Sequence, residues 1–462
     1  MYTIKFGTDG WRAIVAREYT VDNVRRIAAG TLAWMKDHRF KKAVIGYDCR
    51  FGGPMFLEEI AAVLAQDGIE CLVADQFVST PMISLAVVKY QADLGIVITA
   101  SHNPPAYNGY KLKSSYGGPT IPSDIAEVEA RIPDAVPELR NSYAELLQQE
   151  AIRVVDLEGD YLSHIRASFD MDRISRMPLA YDAMYGAGQR VMKNLFPELK
   201  AFHCEYNPGF NGTPPEPIAK NLAGIMSFLS AHPGQYLGVA NDGDADRVAI
   251  LDDQGMVVDS HHVLLLLIHY LAAYQKQTGA VVVSFSVTNK VKKLADHYGL
   301  DCIITKIGFK YIAEYMIQQD VLVAGEESGG LAIKGHIPER DGVWIALTIL
   351  QFMASTGKSI QELIQEVYQI VGPFAYDRID LQLTNSQIEN VRKTLQSPIS
   401  HWDSYAVRSS EQVDGYKYYF DEECWLLIRT SGTEPVLRIY AQGRDMVEVE
   451  SILLAARSVL QV

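Results

Sequence analysis

The sequence has little cysteine and no excess of positive charge, and each shortage argues against a class of protein. Only five of its 462 residues are cysteine, and none stands in a Cys-x-x-Cys spacing, which argues against a disulfide scaffold and against a structural zinc site. The formal net charge is −14, so we expect no nucleic-acid partner and no binding to anionic membranes. A local cluster of basic residues can still hold a small anion.

Long hydrophobic runs are also missing. The strongest run, Val263 to Tyr274, has twelve residues and includes His269. A bilayer span needs about 20 residues, so we predict a buried helix there. Residues Met1–Arg12 lack the apolar core of a secretion signal. These absences predict a cytoplasmic protein with no membrane partner.

The composition that remains, 48% hydrophobic and 21% charged residues, is that of a globular protein. The length indicates about three domains and is also compatible with two or four. Short apolar runs alternate with helical patterns, which is typical of a parallel α/β sheet. Lys42–Asp48 and Leu94–Thr99 are predicted strands, and Pro54–Gln66 is a predicted helix between them. The same rhythm predicts further strands at Leu179–Ala183, Tyr236–Ala240, Arg247–Asp252, Ala280–Ser284, Cys302–Thr305 and Val321–Ala324.

Two changes in the pattern suggest domain limits. Arg131–Asn141 is polar and contains proline, as domain junctions often do, and the pattern changes again near Gly372–Pro373. Beyond that point we predict a smaller α+β domain. Its predicted strands and helices are Trp425–Arg429, Val436–Ala441, Ser386–Gln396 and Val447–Leu460.

Three polar loops follow predicted strands, at Ser101–Lys111, Asp242–Arg247 and Gly325–Gly330. In open α/β sheets, ligands bind outside the carboxyl ends of the strands. Three such loops therefore predict one shared cleft.

The second loop, DGDADR, carries the strongest chemical signal. Asp242, Asp244 and Asp246 alternate, so an extended backbone places their side chains on one face, where a hard cation such as Mg²⁺ would neutralise them. An EF-hand is excluded because Arg247 stands where glycine is required and Asp253 where glutamate is. A solvated acidic turn is the alternative. Arg247 would be useful beside a metal if both contacted a phosphoryl group.

The first loop, TASHNPPAYNGYK, places Ser101 at the end of an apolar strand with His102 beside it. A serine in this position is suited to act as a nucleophile or phosphate carrier. The residues alone favour an ordinary serine-containing turn, and the sequence does not match the GxSxG elbow of hydrolases.

Two further loops suit sugars and phosphates. In GEESGG, Glu326 and Ser328 could accept and donate hydrogen bonds to sugar hydroxyls, although a glycine-rich turn is the simpler explanation of this loop alone. Arg429–Arg438 combines guanidinium groups, hydroxyls and glycine, a set that matches a phosphate.

Five motifs taken together resemble the α-D-phosphohexomutase superfamily, which includes phosphoglucomutase, phosphomannomutase and phosphoglucosamine mutase. They are FGTDGWR at Phe6–Arg12, TASHNPPAYNGYK at Thr99–Lys111, DGDADR at Asp242–Arg247, GEESGG at Gly325–Gly330 and RTSGTEP at Arg429–Pro435. The resemblance implies an α/β fold of four domains around a central cleft, the first three with similar mixed sheet cores and the last a smaller α+β domain. The implied domains are residues 1–140, 141–253, 254–371 and 372–462.

The resemblance also implies the roles of the site residues. Ser101 would be the phosphoserine and, with Asp242, Asp244 and Asp246, would hold one Mg²⁺ per chain. Arg247 would stabilise the transferring phosphoryl group. Other residues implied at the reacting end are Arg12, His102 and Lys111. Residues implied to contact the substrate are Glu326, Ser328, Lys306, Gly308, Arg429, Ser431, Gly432 and Thr433.

The general acid and base stay open. Lys111 is a candidate base by resemblance. Several relatives end the sugar loop in histidine where this chain has Gly330, so Lys334 and His336, just downstream, are further candidates.

The implied reaction interconverts a hexose 1-phosphate and a hexose 6-phosphate through phosphoserine and a hexose 1,6-bisphosphate. Relatives with the GEES sequence tend to act on glucose phosphates, so the resemblance favours glucose as the sugar and glucose 1,6-bisphosphate as the activator. Phosphomannomutase, with or without dual activity, and phosphoglucosamine mutase are the alternatives. A catalytically silent sugar-phosphate binder and a metal-dependent phosphatase are the alternatives outside the mutases. We expect a small-molecule sugar phosphate as partner, and a monomer or homodimer.

Overall fold

The structure is a computed structural model, and it describes residues 2–7, 9–430 and 436–462. The chain forms four units in sequence order, three of them α/β and the last a smaller α+β unit, each built on its own main sheet. The predicted fold class is confirmed.

The first unit has a mixed sheet in the order β1-β5-β4-β2-β3-β7, with β6 beside β5. Its central strands are parallel, whereas β5 runs antiparallel to both β4 and β1. Its elements are β1 (Trp11–Ile14), α1 (Val21–Asp37), β2 (Lys42–Tyr47), α2 (Gly53–Ala65), β3 (Glu70–Ala74), α3 (Thr80–Lys89), β4 (Leu94–Ile98), β5 (Tyr107–Ser114), β6 (Gly118–Pro119), α4 (Pro122–Ala130), α5 (Tyr143–Gln148) and β7 (Ile152–Val155).

The segment Arg131–Asn141 lies within this unit and is not a junction. Ile132 packs against Gly30, and the Arg26 guanidinium donates a hydrogen bond to the Pro133 carbonyl. The later strand β7 then pairs with β3 in the same sheet. The first sheet therefore extends beyond the limit predicted at residue 140.

The second unit has a five-stranded sheet in the order β12-β11-β10-β8-β9. Strands β8 and β10 are parallel, and β11 returns antiparallel to β10 after a short loop. Its elements are α6 (Leu157–Ser168), α7 (Met171–Ile174), β8 (Leu179–Asp182), α8 (Gln189–Leu195), β9 (Lys200–Phe202), α9 (Ala223–Ala231), β10 (Leu237–Asn241), β11 (Val248–Leu251) and β12 (Val257–Val258), with 3-10 turns at Phe210–Gly212 and Ala219–Asn221.

The third unit has a four-stranded sheet in the order β14-β13-β15-β16. The apolar run Val263 to Tyr274 is helical and mostly buried, as predicted. It begins within helix α10 (Ser260–His269) and ends in a π-helical turn at Tyr270–Tyr274. The elements are α10 (Ser260–His269), β13 (Ala280–Ser284), α11 (Lys290–His297), β14 (Cys302–Thr305), α12 (Phe309–Gln318), β15 (Val321–Gly325), β16 (Leu331–Ile333), α13 (Gly342–Thr356) and α14 (Ile360–Val371).

The fourth unit has an antiparallel sheet in the order β17-β23-β22-β21-β20, together with the hairpin β18-β19. The predicted strands and helices of this unit are present within two residues of their predicted limits. The elements are β17 (Ala375–Gln382), α15 (Asn385–Gln396), β18 (His401–Trp402), β19 (Tyr405–Ala406), β20 (Ser409–Glu411), β21 (Tyr416–Tyr419), β22 (Trp425–Thr430), β23 (Val436–Gly443) and α16 (Met446–Leu460).

The first three units share one hydrophobic core. Buried side chains such as Val97, Tyr181 and Leu347, one from each unit, belong to the same cluster. The fourth unit has a core of its own and meets the third through a small cluster that contains Phe285 and Trp425. The first three units therefore pack as one body, to which the fourth is attached.

In the part of the chain that the structure describes, no single helix is long and apolar enough to cross a membrane. Helices α13 and α14 meet that test only when taken together, and they are bent by 88° relative to each other.

Candidate active site

The three predicted loops meet at one place. The Ser101 hydroxyl, after β4, donates a hydrogen bond of 2.8 Å to Asp242 Oδ2, which follows β10. The loop after β15 joins them because the Val248 amide donates to the Gly329 carbonyl at 3.2 Å. Loops from the first, second and third units therefore contact one another, as the prediction of a shared site requires.

The Ser101 loop is a tight turn in an unusual backbone conformation. Ser101 has a φ of +51° and is 1% exposed. Its amide donates to Thr99 Oγ1 at 2.8 Å. A positive φ in a residue with a side chain is uncommon and costs energy, so the surrounding contacts must hold the turn in place.

Arg50 holds this turn, and sequence reasoning missed it. Its guanidinium is buried and donates to the carbonyls of Ser101, Asn103, Pro104 and Tyr107 at 2.6 to 3.0 Å. The signal was available, because Arg50 lies in a polar segment just after β2, as the predicted site loops do after their own strands.

Asp48 completes this support. It lies 3.4 Å from the Arg50 guanidinium and accepts a hydrogen bond from Thr99 Oγ1 at 2.5 Å. Burial raises the pKa of Asp48 to about 6, although Arg50 favours the ionised form. The pair is therefore a buried ion pair beneath the serine loop.

The three aspartates of the second loop form a buried acidic cluster. One oxygen from each of Asp242, Asp244 and Asp246 lies within 4.8 Å of the other two. Among the described residues, Oδ1 of Asp244 and Oδ1 of Asp246 are buried without a hydrogen-bond partner. Buried carboxylate oxygens normally have a donor or a cation, and three hard oxygen ligands suit Mg²⁺. These residues therefore fit a divalent cation.

The titration of the cluster reflects its crowding. Burial and the charges of Asp244 and Asp246 raise the pKa of Asp242 well above its usual value. Burial acts in the same direction on Asp244, but the Lys111 ammonium outweighs it and lowers the pKa of Asp244.

Lys111 is enclosed by carboxylates. Its ammonium lies 2.8 Å from Asp244 Oδ2, 3.3 Å from Asp246 Oδ2 and 2.8 Å from Asp9 Oδ2. Burial would lower the pKa of Lys111, but these three carboxylates raise it. In this arrangement Lys111 is a protonated counter-ion, which is not the state of a general base.

Arg340 is, after Lys111, the second cation beside the aspartates, and sequence reasoning missed it. Its Nη2 lies 2.6 Å from both Asp9 Oδ2 and Asp246 Oδ2. A Cβ on Gly330 would come within 2.5 Å of Arg340 Cδ, so the arginine side chain lies where a larger residue would otherwise end the sugar loop. No strand precedes Arg340 directly, so the rule that found the other loops did not reach it.

The other residues predicted at the reacting end lie around Ser101. Arg12 Nη1 donates to Asn103 Oδ1 at 2.6 Å, and the buried Arg247 Nε has no hydrogen-bond partner among the described residues. His102 Nδ1 lies 3.2 Å from Ser101 Oγ. Burial, together with Arg247 and Arg12, holds the pKa of His102 well below its usual value, so its imidazole is neutral.

The third loop meets the start of α12. Glu326 Oε1 accepts a hydrogen bond of 2.8 Å from the amide of Gly308, which brings two predicted substrate residues together. Burial and the adjacent Glu327 raise the pKa of Glu326 to about 7. Lys306 is exposed near Gly308, and Ser328 is half-buried in the loop.

Lys334 and His336 contact other partners. Lys334 pairs with Asp320 at 2.5 Å. His336 Nε2 lies 2.9 Å from Asp341 Oδ2, and its ring stacks on Trp344 with centroids 3.8 Å apart. Among the described residues, neither side chain forms a hydrogen bond or ion pair with Ser101, so these contacts give no support to either as acid or base.

The fourth unit contributes basic residues at the rim of the cleft. Arg429 Nε donates to Asp414 Oδ1 at 3.2 Å, and Asp414 Oδ2 accepts from the Ile307 amide at 3.0 Å. Arg429 is thereby connected to the loop that holds Gly308. Arg438 lies opposite Arg429 on the adjacent strand. The predicted residues Ser431, Gly432 and Thr433 lie outside the described residues.

Comparisons with known proteins agree across the chain. Family profiles described as "Phosphoglucomutase/phosphomannomutase, alpha/beta/alpha" domains I, II and III match residues 3–137, 159–255 and 259–371, and the C-terminal domain profile matches residues 383–458.

Two relatives match along nearly their whole length. A phosphoglucomutase/phosphomannomutase of Thermococcus kodakarensis is 30% identical over 454 residues, covering 95% of this chain and 94% of its own. A phosphoglucosamine mutase of Caldicellulosiruptor bescii is 28% identical over 469 residues, covering 99% and 98%.

Two solved structures share the fold. A Thermus thermophilus protein assigned as a phosphomannomutase superposes with a TM-score of 0.87 at 31% identity, covering 100% of both chains. Parafusin from Paramecium has a TM-score of 0.84 at 20% identity, covering 99% of this chain and 94% of its own.

Proposed function

Because the chain belongs to the α-D-phosphohexomutase superfamily, we propose that it is a phosphoglucomutase that uses Ser101 as its phosphoryl carrier. The comparisons support a hexose-phosphate mutase reaction. One observation carries the assignment to Ser101. Its hydroxyl lies 2.8 Å from Asp242, at the edge of the acidic cluster that fits a divalent cation.

The transfer begins with the phosphoryl group on Ser101. The bond between phosphorus and Ser101 Oγ breaks while a bond to a sugar hydroxyl oxygen forms, and the proton of that hydroxyl passes to a base. The bisphosphate then turns over and returns its other phosphoryl group to Ser101. Asp242, Asp244 and Asp246 would hold Mg²⁺, which neutralises charge on the phosphoryl oxygens.

The side chains around Ser101 would stabilise the transferring group, move protons and balance charge. Arg247, whose Nε has no partner among the described residues, is available to stabilise the charge of the transferring group. Neutral His102, 3.2 Å from Ser101 Oγ, lies where it would accept the proton of the Ser101 hydroxyl when the other phosphoryl group returns to that oxygen. Lys111 balances the charge of the aspartates.

The sugar and its far phosphate would be held at the other end of the cleft. Glu326 and Ser328 would contact sugar hydroxyls, with Lys306 and Gly308 beside them, and Arg429 would bind the phosphate that does not react. The loop carrying Ser431, Gly432 and Thr433 would contribute to the same phosphate site.

Three further parts of the proposal rest on the family resemblance and on composition. The preference for glucose rests on the GEES sequence, glucose 1,6-bisphosphate would prime Ser101, and the enzyme would work in the cytoplasm as a monomer or homodimer. The names of the relatives make mannose and glucosamine phosphates the competing substrates.

Phosphorus NMR tests this proposal. The purified protein, with Mg²⁺ and a trace of glucose 1,6-bisphosphate, is offered the 1-phosphates of glucose, mannose and glucosamine in parallel. Fastest conversion of glucose 1-phosphate to its 6-phosphate is the expected result. Faster conversion of another sugar would overturn the glucose assignment alone. Release of free phosphate without isomer formation would identify a phosphatase, and no reaction after Ser101 is phosphorylated would contradict mutase activity.

A further inference from the structure

The carboxylates of Asp244 and Asp246 are each held at one oxygen and left open at the other. Asp244 Oδ2 accepts from Lys111 Nζ at 2.8 Å and from Thr80 Oγ1 at 2.5 Å. Asp246 Oδ2 lies 2.6 Å from Arg340 Nη2 and 3.3 Å from Lys111 Nζ. Their Oδ1 atoms are the buried oxygens without a partner among the described residues. Each side chain thus presents a single free oxygen to a cation.

Arg340 is well placed to keep this arrangement fixed. The same Nη2 atom lies 2.6 Å from Asp9 Oδ2, so one guanidinium joins the first, second and third units. The guanidinium carbon lies 5.3 Å from the centre of the Phe309 ring, and the side chain is 5% exposed. A buried arginine held on two sides cannot easily release Asp246 Oδ2.

The number of free oxygens matters for the choice of cation. Ca²⁺ takes about six to eight oxygen ligands and often binds a carboxylate through both oxygens, whereas Mg²⁺ requires six ligands in near-octahedral geometry at about 2.0–2.1 Å. Aspartates restricted to one oxygen each can serve Mg²⁺, with water or a phosphate completing its shell. They offer Ca²⁺ no bidentate carboxylate and leave more of its larger shell to water, so Ca²⁺ gains less from this site than Mg²⁺ does.

We propose that Arg340 is the specificity-determining residue of the cation site, because its hold on Asp246 Oδ2 makes the site prefer Mg²⁺ over Ca²⁺. The inference rests on the proposed function in one respect, namely that the three aspartates bind a divalent cation. Lys111 restricts Asp244 in the same way, but its contact with two of the aspartates makes it harder to vary alone.

Charge and geometry can be separated experimentally. Replacing Arg340 by a neutral residue makes the cluster more negative by one charge, which strengthens the binding of any divalent cation. This change affects Mg²⁺ and Ca²⁺ alike and cancels in the ratio of their dissociation constants. Loss of the 2.6 Å contact with Arg340 leaves Asp246 Oδ2 with the longer contact to Lys111, which makes this oxygen easier for Ca²⁺ to use, so the ratio reports the geometry.

The experiment is calorimetric titration of the full, unphosphorylated chain with MgCl₂ and with CaCl₂. The variants are Arg340→Met and, as a matched control, Arg25→Met. The control breaks a 2.5 Å ion pair with Glu59, which joins helices α1 and α2 of the first unit. We expect the ratio of the Ca²⁺ to the Mg²⁺ dissociation constant to fall at least tenfold in Arg340→Met and to stay within twofold of wild type in the control.

Two other results count against the proposal. An Arg340→Met chain that binds both cations with an unchanged ratio overturns the role of Arg340 and leaves the cation site standing. Wild-type protein that binds neither cation overturns the cation site itself, and the role of Arg340 with it. If circular dichroism shows that Arg340→Met is unfolded, Arg340→Lys replaces it. The shorter lysine keeps the charge but must divide one donor group between Asp9 and Asp246, so the ratio should fall at least threefold, and an unchanged ratio overturns the proposal.

Discussion

Replacing Arg50 by methionine should damage both the stability of the protein and its turnover. The substitution removes the donor to four carbonyls of the Ser101 loop and leaves Asp48 buried without its cation. Removing one partner of a buried ion pair costs about 3–5 kcal/mol. We therefore expect the free energy of unfolding, measured with urea, to fall by about that amount.

The loss of turnover has a different cause, which a second substitution reveals. A displacement of about 1 Å at the reacting group costs roughly 100-fold in rate, and Ser101 loses the support of its strained turn. Adding Asp48→Asn removes the unpaired charge but keeps the acceptor for Thr99, so stability should recover by about 1–3 kcal/mol. Turnover should not recover.

The two measurements together can refute the reasoning. If Arg50→Met turns over at the wild-type rate, Arg50 does not position Ser101. If the double variant regains turnover along with stability, the charge of Asp48 and not the loss of the carbonyl contacts disturbed the site. Urea unfolding followed by circular dichroism and a coupled mutase assay are sufficient.

Three further predictions concern the site directly. Ser101→Ala should abolish steady-state turnover while calorimetry still detects sugar-phosphate binding, and retained turnover would exclude Ser101 as the carrier. Asp244→Asn should slow turnover by orders of magnitude, several kcal/mol of barrier, and raise the Mg²⁺ concentration needed; an unchanged rate would contradict the cation site. The pKa of Glu326 is raised from 4.5 to about 7, so between these pH values the folded chain binds more protons than the unfolded one and stability falls as pH rises. Glu326→Gln should lack that part of the slope in urea unfolding, and an identical slope would show that Glu326 is not buried in this way.

Sequence patterns predict the elements that are buried and continuous. Strands such as Leu94–Ile98 are apolar throughout, so their sequence alone distinguishes them. The same patterns miss strand β5, Tyr107–Ser114, because Asn108, Lys111 and Lys113 are polar. Lys111 and Lys113 can be buried because carboxylates from distant parts of the chain pair with them, and no local sequence pattern reveals these ion pairs.

The same limit applies to the site. The motifs predict the loops with Ser101, the three aspartates and Glu326 because each loop directly follows an apolar strand. Arg340 becomes part of the site only through Asp9 and Asp246, which are far from it in sequence. Contacts of this kind depend on how the units pack, so no local pattern around Arg340 indicates them.

The meeting of three units at the Arg340 guanidinium also has a consequence for how the protein is made. Asp9 and Arg340 are separated by 331 residues, and a chain grows at about 5–20 residues per second. Roughly 15 to 65 seconds therefore pass between the synthesis of the first contact and that of the last, at these rates. From the synthesis of Asp246 until that of Arg340, the aspartates lack one of their two fixed cations. A nascent chain thus carries the serine loop and the three aspartates before it carries Arg340, so the contact that joins the three units forms only when the third unit has been made.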